Sequence, residues 1–420
     1  MIGGGSSGEH FVGALRRLDD GAELTLVERG LAGGECSYWA CMPTKTMLRA
    51  AEIVAATRRA PGVGESSLDP AGVFAWRDAV ADFRDDSRQA EWLASQRCEL
   101  VRGTAVVRRP GVVEVDGREL PYDRLVIATG SSPVVPPAAQ GAAYWTNHEA
   151  TETAEVPTTL LVLGGGPVGC ELAQFFSRAG ARVTLVEKGP RLLPQVDADA
   201  AGLVRDALVE DGVEIRLGEA EARDTDLSRY ERLLVATGRS ANVGGLDGLA
   251  LGLSDRGIEV DERLRAAENV WAIGDVTGIA EFTHVGKYQA RIAARDIAGR
   301  DARADYRAIP ATIFTDPQVA AVGTLEGRIS RWELTSTPRL STYERPKRPG
   351  FVKVAADPVR RVVTGAVAVG PEAGEWLQQL TVAIRAEVPV ETLLDVIQPY
   401  PSFGEAVFLA LRELDLDLDR

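Results

Sequence analysis

Two cysteines separated by four residues, Cys36 and Cys41, are the residues of this sequence best suited to redox chemistry. A disulfide needs Cα atoms within roughly 7 Å, which this spacing allows if the segment coils into a helical turn. A helical run follows from Thr44, and the positive end of a helix lowers a thiol pKa and favours the thiolate. The spacing predicts a redox-active pair, with a structural disulfide or two free thiols as alternatives.

A glycine-rich loop precedes the cysteines and predicts a dinucleotide site. Gly3, Gly5 and Gly8 form the pattern G-x-G-x-x-G, followed by a helix-like run and a strand that ends at Glu28. Glycines let the backbone approach a pyrophosphate at a helix N-terminus, and an acid at this place accepts hydrogen bonds from ribose hydroxyls. Only Met1 and Ile2 precede the first glycine, so we expect either that the given start is late or that the first strand of this unit is truncated.

A second unit of the same kind lies near the middle of the chain. Its loop glycines, which follow an apolar strand, are Gly164, Gly166 and Gly169. Two such units in one chain predict two bound dinucleotides. The next strand ends at Glu187, which would accept from a 2′-hydroxyl and repel a 2′-phosphate, and so favours NAD. Lys188 and Arg191 follow closely and leave NADP possible.

Two further segments support this organisation. An apolar strand ending in Ala-Thr-Gly, with Thr129 and Gly130, is repeated with Gly238 as its last residue. A third apolar strand closes with Gly274 and Asp275. A strand closed by a turn is ordinary when it stands alone, but the repetition indicates two related nucleotide-binding units.

The bulk composition limits the possible functions. With 420 residues the chain is too long for one core, so two or three domains are expected. It is 45% hydrophobic and 26% charged, which is typical of a soluble globular protein. The net charge of −14 argues against nucleic acid or an anionic membrane as a partner. No apolar run is long enough to span a bilayer, no metal cluster is expected, and we predict a cytoplasmic enzyme.

These segments, in this order, resemble the class I pyridine nucleotide-disulfide oxidoreductases, a family that includes dihydrolipoamide dehydrogenase, glutathione reductase and mercuric reductase. The resemblance spans nearly the whole chain. It implies an α/β fold with two Rossmann-like dinucleotide-binding domains plus a C-terminal α+β dimerisation domain. The expected boundaries are residues 1–142 and 241–305 for the FAD-binding domain, 143–240 for the NAD(P)-binding domain and 306–420 for the dimerisation domain, in a homodimer.

The resemblance also implies an electron path from NAD(P)H through FAD and the cysteine pair to an acceptor. Cys41 would take electrons from the flavin, and Cys36 would attack the acceptor. Lys45 matches the family lysine beside the flavin, and Glu171 matches its ion-pair partner. The expected cofactor contacts are the two glycine loops with Glu28 and Glu187, and also Thr129, Gly130, Gly238, Gly274 and Asp275.

The segment near the C-terminus departs from the family pattern. Disulfide-reducing members carry a histidine five residues before a glutamate, supplied across the dimer interface, whereas this chain has Tyr400 before Glu405. A phenol with a pKa near roughly 10 does not shuttle protons at neutral pH as imidazole does. Alternatively, Tyr400 is simply packed, and Ser402 and Glu405 form a capping box on a helix over residues 406–414.

Three functions follow, and they differ in the acceptor. The first is a reductase of a disulfide or another small, thiol-reactive acceptor. The second is a diaphorase-like reductase of quinones or metal ions, which needs no proton for a leaving thiolate. Mercuric reductase shares the tyrosine, but the acidic tail over residues 413–420 lacks its C-terminal cysteine pair. The third, from a different class, is a non-catalytic redox-sensing flavoprotein.

Overall fold

The computed structural model describes residues 1–219 and 226–414, and it divides the chain into two compact units. The first unit contains Met1–Thr44, Ala75–Val134 and Gly238–Asp305. The second contains Lys45–Phe74, Val135–Thr237 and the chain from Tyr306 onward. The last six residues of the acidic tail lie outside the described residues. The three-domain boundaries stay a prediction.

The first unit is built from short strands and a few helices. Its strands are β1 (Leu24–Glu28), β2 (Cys98–Arg102), β3 (Ala105–Arg109), β4 (Val112–Val115), β5 (Arg118–Pro121), β6 (Leu125–Ile127), β7 (Ser131–Pro133), β12 (Arg239–Ala241), β13 (Arg265–Ala267) and β14 (Val270–Ala272). Its helices are α1 (Ser6–Leu18), α2 (Gly34–Tyr38), α5 (Ser87–Ser95) and α9 (Thr283–Ile297). Two more helices, α3 (Cys41–Arg59) and α4 (Pro70–Val80), connect chain segments of the two units.

The segment before the first glycine loop pairs with its neighbours through a single bridged residue, Ile2. Ile2 pairs in parallel with Val27 of β1 on one side and with Ile127 of β6 on the other. Strand β1 continues to β2, and β6 continues through β14 to β13. Ile2 therefore joins two small sheets, and its buried side chain packs in an apolar cluster with Val27 and Ile127. The amide of Gly3 donates to the carbonyl of Val27 at 2.9 Å, which holds the start of the glycine loop against β1.

The second unit contains a parallel sheet and an antiparallel sheet. The parallel order is β10 (Glu214–Leu217), β9 (Arg182–Glu187), β8 (Thr159–Leu163), β11 (Arg232–Val235). The antiparallel order is β15 (Pro310–Ile313), β16 (Gln318–Gly323), β19 (Val362–Gly370), β18 (Phe351–Asp357), β17 (Arg328–Glu333). The helices are α6 (Asn147–Glu152), α7 (Pro167–Arg178), α8 (Ala198–Glu210), α10 (Pro338–Tyr343), α11 (Ala373–Trp376), α12 (Gln378–Ala386), α13 (Val390–Asp395) and α14 (Gly404–Arg412).

Two helices begin directly at the ends of the loops that precede them. Helix α7 begins at Pro167, because Gly166 is the N-cap and proline suits the first helical turn. Helix α3 begins at Cys41 and not at Thr44, so the predicted start of this helix was wrong. The described residues after 309 include five short helices. Among the described residues, no helix combines the length and hydropathy that crossing a bilayer requires.

Candidate active site

The three glycines of the first loop differ in the space around their Cα atoms. Gly3 has a φ of +99°, and a Cβ there would lie 2.1 Å from the carbonyl oxygen of Ala128. A Cβ on Gly8 would lie 2.2 Å from the carbonyl oxygen of Gly3, so both positions need hydrogen for packing. A Cβ on Gly5 would come no closer than 3.9 Å to the backbone of Gly34. Gly5 therefore borders open space at the N-terminus of α1, where a pyrophosphate fits.

The second loop repeats this arrangement. A Cβ on Gly164 would lie 2.3 Å from the carbonyl oxygen of Ala236, and one on Gly169 would lie 1.9 Å from the carbonyl oxygen of Gly164. A Cβ on Gly166, the N-cap of α7, would meet nothing within 4 Å. The same two close approaches and the same open glycine thus occur at both predicted dinucleotide sites.

The acids at the ends of β1 and β9 are held by backbone amides. Glu28 accepts hydrogen bonds from the amides of Gly4 at 2.6 Å and Gly30 at 2.7 Å. Glu187 accepts from the amides of Gly165 and Gly189, both at 2.7 Å. One amide on each oxygen fixes the carboxylate and leaves lone pairs for ribose hydroxyls.

Of the two basic residues behind Glu187, Arg191 is committed to the backbone. Its guanidinium donates to the carbonyl oxygens of Leu193 at 3.0 Å and Val196 at 2.8 Å. Lys188 is exposed. Arg191 therefore stabilises the loop that follows β9, and a 2′-phosphate would have to compete with these hydrogen bonds.

Asp275 lies in a polar network of the first unit that the sequence did not reveal. The hydroxyl of Ser131 donates to the Asp275 carboxylate at 2.8 Å, and the guanidinium of Arg239 donates to that hydroxyl at 2.7 Å. The amide of Gly274 donates to the side-chain oxygen of Gln289 at 2.6 Å. These bonds orient the Asp275 carboxylate at the start of the turn that follows β14.

The Ala-Thr-Gly segment that follows β6 is held in place by Asn242. The hydroxyl of Thr129 donates to the carbonyl oxygen of Asn242 at 2.7 Å, and the Asn242 amide side chain donates back to the carbonyl of Thr129 at 3.0 Å. Gly130 accepts from the backbone amide of Asn242 at 2.9 Å. In the corresponding second segment, the carbonyl of Gly238 accepts from the amide of Val134 at 2.9 Å.

The glycines before the cysteines bring their helix against the first loop. Gly34 has a φ of +65°, and a Cβ there would lie 2.7 Å from the Cα of Gly5. The amide of Gly33 donates to the carbonyl of Gly4 at 2.8 Å. Helix α2, which carries Cys36, therefore starts in backbone contact with the predicted pyrophosphate loop.

The two cysteines are free thiols whose sulfurs are hydrogen-bonded to each other. Cys36 lies in α2, and Cys41 is the first residue of α3. The Cys41 sulfur lies 3.4 Å from the hydroxyl oxygen of Thr283, the first residue of α9. Thr283 also bonds Cys36, and the sequence did not single it out.

Hydrogen bonding to Cys41, followed by burial, raises the pKa of the Cys36 thiol well above its ordinary value. We expected the N-terminus of the helix to lower the thiol pKa. For Cys36 this expectation is wrong, because the hydrogen bond with Cys41 and burial raise its pKa. The hydrogen bond from Thr283 and the charge of Lys287 act in the opposite direction. Such a coupled pair gives up one proton and holds the second, so it carries a single thiolate.

In the second unit, Lys45 and Glu171 form the ion pair that the resemblance implies. The Lys45 ammonium lies 2.7 Å from a carboxylate oxygen of Glu171, whose side chain is 4% exposed. The other oxygen of Glu171 accepts from the amide of Phe314 at 2.8 Å. The ammonium also lies 5.0 Å from the centre of the Phe314 ring. Both carboxylate oxygens are thus satisfied, and the lysine is held at a defined place.

Tyr400 and Glu405 differ in their surroundings. Tyr400 is 73% exposed. The amide of Glu405 donates to the hydroxyl oxygen of Ser402 at 3.3 Å, which is half of the proposed capping box, and α14 begins at Gly404 and not at residue 406. One carboxylate oxygen of Glu405 is buried and has no hydrogen-bond partner within the described part of the chain. The carboxylate can therefore accept a further donor.

Two dinucleotide loops of this geometry and a hydrogen-bonded dithiol define a dinucleotide-dependent redox enzyme. The family model described as pyridine nucleotide-disulphide oxidoreductase matches residues 1–290, and that family's dimerisation domain matches residues 309–411. The chain belongs to the pyridine nucleotide-disulphide oxidoreductase family.

Named relatives cover nearly the whole chain. It is 33% identical to dihydrolipoyl dehydrogenase 2 of Haloarcula marismortui, over 97% of this chain and 94% of the relative. It is 32% identical to mercuric reductase of Shigella flexneri, over 99% of this chain and 80% of the relative. The crystal structure of LpdA from Mycobacterium tuberculosis superimposes with a TM-score of 0.86 at 26% identity and covers 98% of both chains.

The predicted fold class is confirmed by the two matched domains and by this structural similarity. The protein is an NAD(P)H-dependent flavoprotein oxidoreductase that uses FAD and NAD(P)H. The open glycines and the paired acids of both loops fit these two cofactors.

Proposed function

We propose that this protein is a homodimeric reductase that passes electrons from NADH to a disulfide or another thiol-reactive acceptor through Cys36 and Cys41. The observation that carries the proposal is the hydrogen-bonded dithiol that starts α3 and shares the hydroxyl of Thr283. Relatives named dihydrolipoyl dehydrogenase and mercuric reductase support it, because both names denote flavin-dependent reduction or oxidation of sulfur or a thiol-binding metal ion.

The first unit would hold FAD. Its contacts would be the loop of Gly3, Gly5 and Gly8, with Glu28 at the ribose and Asp275 farther along the cofactor. When bound, FAD supplies the two-electron exchange between a nicotinamide and the dithiol. The remaining predicted contacts in this unit, Thr129, Gly130, Gly238 and Gly274, would line the same cofactor. Hydrogen bonds with Asn242, Val134 and Gln289 hold these four residues in place.

The cysteines would divide the thiol chemistry. The Cys36 thiolate attacks one sulfur of the acceptor, the acceptor S–S bond breaks, and the first thiol leaves after taking up a proton. Cys41 then attacks Cys36 in the mixed disulfide, and the second thiol leaves. One dithiol thus becomes a disulfide while one acceptor disulfide becomes two thiols, so electrons and protons balance.

In the second unit, Glu171 would hold Lys45 in one orientation. An unpaired lysine has several rotamers of similar energy, whereas the bond to a nearly buried carboxylate selects one of them. The pair would therefore fix one positive charge at a constant position on α3 within the second unit.

Glu405 would supply the proton for the leaving thiol, with Tyr400 as an additional donor. In disulfide-reducing members of the family, a histidine in place of Tyr400 and the glutamate that matches Glu405 act across the dimer interface. Exposed apolar side chains on the same segment support such a contact between copies, because Val396 is 49%, Ile397 93% and Tyr400 73% exposed. We infer that the partner subunit covers this segment and completes the acceptor site.

We propose NADH as the reductant of choice. Glu187 is 9% exposed and fixed by two amides, so it would repel a 2′-phosphate strongly. The anchored Arg191 offers no ready compensation. A reducing compartment such as the cytoplasm is in keeping with the buried free thiols Cys98 and Cys170. We also propose the three-domain division at residues 142, 240 and 305.

The test compares Cys36→Ser and Cys41→Ser with wild type on a disulfide such as lipoamide and on a quinone, with NADH and with NADPH. We expect Cys36→Ser to abolish disulfide reduction and to spare quinone reduction, since a quinone takes electrons from the flavin directly. Cys98→Ser is the control for loss of a thiol. Equal loss on both acceptors would refute the relay.

The same assay separates the alternative functions. Tyr400 in place of histidine favours the diaphorase-like alternative, because quinone reduction needs no proton for a leaving thiolate. High quinone and no disulfide turnover in wild type would support that alternative. Absent flavin reduction by NADH would support a redox sensor.

A further inference from the structure

Lys287 lies on α9, the helix whose first residue, Thr283, contacts the cysteine sulfurs. Helix α9 begins at Thr283, whose hydroxyl oxygen is 3.4 Å from the Cys41 sulfur. Residues four apart in a helix lie on one face, about 6 Å apart along the axis. Lys287 therefore follows Thr283 by one turn on the face that the cysteines contact. Its side chain is half-buried, and its ammonium acts electrostatically on Cys36.

The position of Lys287 is fixed by close helix packing. Gly286, its neighbour, allows α9 to approach α1, because a Cβ there would lie 2.1 Å from the hydroxyl oxygen of Ser7. The backbone at residue 287 is consequently anchored against the start of α1. The four-carbon side chain therefore extends from a fixed point on α9, and its charge acts on Cys36.

The other charged groups near Lys287 leave it available. Glu9 and His10 face it from α1, and Asp86 in turn acts on Glu9. Within residues 1–219 and 226–414, the Lys287 ammonium forms no ion pair with a carboxylate. Burial raises the pKa of Glu9 to about 7, so this acid is largely neutral in mildly acid solution. Lys287 is therefore a half-buried cation. Glu9, the acid that interacts with it, attracts the ammonium only weakly when it is protonated.

Cys36 has few other charges to respond to. The acid next to it in sequence, Glu35, is directed to Arg239, with 3.7 Å between its carboxylate and the guanidinium. Cys41 and Thr283 contact Cys36 as hydrogen-bonding groups, and a negative charge on Cys41 opposes ionisation of Cys36. Among the groups that act on Cys36, Lys287 is the one that carries a permanent positive charge.

We propose that Lys287 is a positioning residue that stabilises the thiolate of Cys36 and so sets the rate at which this sulfur attacks the acceptor. The inference rests on the proposed function and deepens it. In the dithiol, one proton is shared between two sulfurs, and Thr283 can donate to either. A cation close to Cys36 shifts the negative charge toward the sulfur that must act as nucleophile. Attack then forms the Cys36–acceptor bond, breaks the acceptor S–S bond, and releases a thiol that takes up a proton.

The experiment measures Cys36 alkylation by iodoacetamide in the anaerobically reduced holoenzyme, as a function of pH, with peptide mapping to identify the modified cysteine. In Lys287→Met we expect the apparent pKa of alkylation to rise by about one unit and the rate at pH 7 to fall about tenfold. Lys287→Arg should restore most of the rate. Arg291→Met removes a cation one turn farther along the same helix and should leave the profile unchanged.

A second readout separates charge from folding. Turnover with a disulfide should fall by about the same factor in Lys287→Met, whereas NADH-dependent quinone reduction should stay within about twofold of wild type. An unchanged alkylation profile in Lys287→Met would overturn the inference, even if turnover fell. If Cys36→Ser retained disulfide turnover, the relay itself would be refuted, and this result is distinguishable because it does not involve Lys287.

Discussion

Replacing Lys45 with methionine is expected to destabilise the second unit more than replacing its partner Glu171 with glutamine. The Glu171 side chain is 4% exposed, and that of Lys45 is 34% exposed. Without Lys45, a nearly buried carboxylate keeps only the hydrogen bond from the amide of Phe314. In Glu171→Gln, the side-chain oxygen can still accept that bond, and the lysine that loses its partner can turn toward water.

The magnitude follows from the burial of the two partners. Breaking a fully buried pair by removing one partner costs about 3–5 kcal/mol, and the partial exposure of Lys45 lowers this to about 2–3 kcal/mol. Loss of a charge-assisted bond without a stranded charge costs about 1 kcal/mol. For a unit of this size, 1 kcal/mol corresponds to about 2–4 °C in melting temperature. We therefore expect a decrease of about 4–12 °C for Lys45→Met and about 2–4 °C for Glu171→Gln.

The pH dependence identifies the stranded carboxylate. In Lys45→Met the nearly buried carboxylate of Glu171 has lost its counter-ion, and protonation at low pH removes this unpaired charge. The stability of this variant should therefore fall as the pH rises from 5 to 8, relative to wild type, whereas that of Glu171→Gln should not. Thermal unfolding of the three holoproteins and of the double variant, at pH 5 and pH 8, measures this. Equal losses in both single variants at pH 8, or additive losses in the double variant, would refute the reasoning.

Two other perturbations test the nucleotide loop and the buried acid of α1. Gly3 has a φ of +99°, and a Cβ there would lie 2.1 Å from the Ala128 carbonyl oxygen, so Gly3→Ala should destabilise the first unit by about 2 kcal/mol or more. Gly5→Ala should leave the melting temperature of the apoprotein unchanged and weaken flavin binding about tenfold. Fluorescence titration with FAD, beside apoprotein melting, checks this pair, and equal flavin loss without a stability difference would contradict it. Burial raises the pKa of Glu9 from 4.5 to about 7, so its contribution to stability is present below pH 4.5 and is lost as the pH rises to 7. Glu9→Gln should therefore be more stable than wild type at pH 8, by at most about 2 kcal/mol after solvent screening, and equally stable at pH 4. A gain in stability of the same size at pH 4 and pH 8 would exclude burial of the Glu9 charge as its cause.

Much of the organisation follows from the sequence alone. Each G-x-G-x-x-G loop and its acid were recognisable because a pyrophosphate at a helix N-terminus demands glycine at fixed positions. The cysteine pair, Lys45 and Glu171 were found because their spacing matches a known family. Element ends were less predictable: α7 begins at Pro167 and α3 at Cys41, because loop residues enter the first helical turn directly.

Only the tertiary structure decided which residues far apart in sequence are in contact. Thr283 and Lys287 lie more than 240 residues from the cysteines, and no local pattern distinguishes them from other helix residues. Ser131 meets Asp275, and Arg239 meets Ser131, only because three chain segments converge in the first unit. Local spacing determines which backbone turns are possible, whereas the charge around a sulfur is the sum over all neighbours in space. The sequence by itself therefore determined the fold and the presence of a redox pair, and packing decided which groups control the reactivity of its thiols.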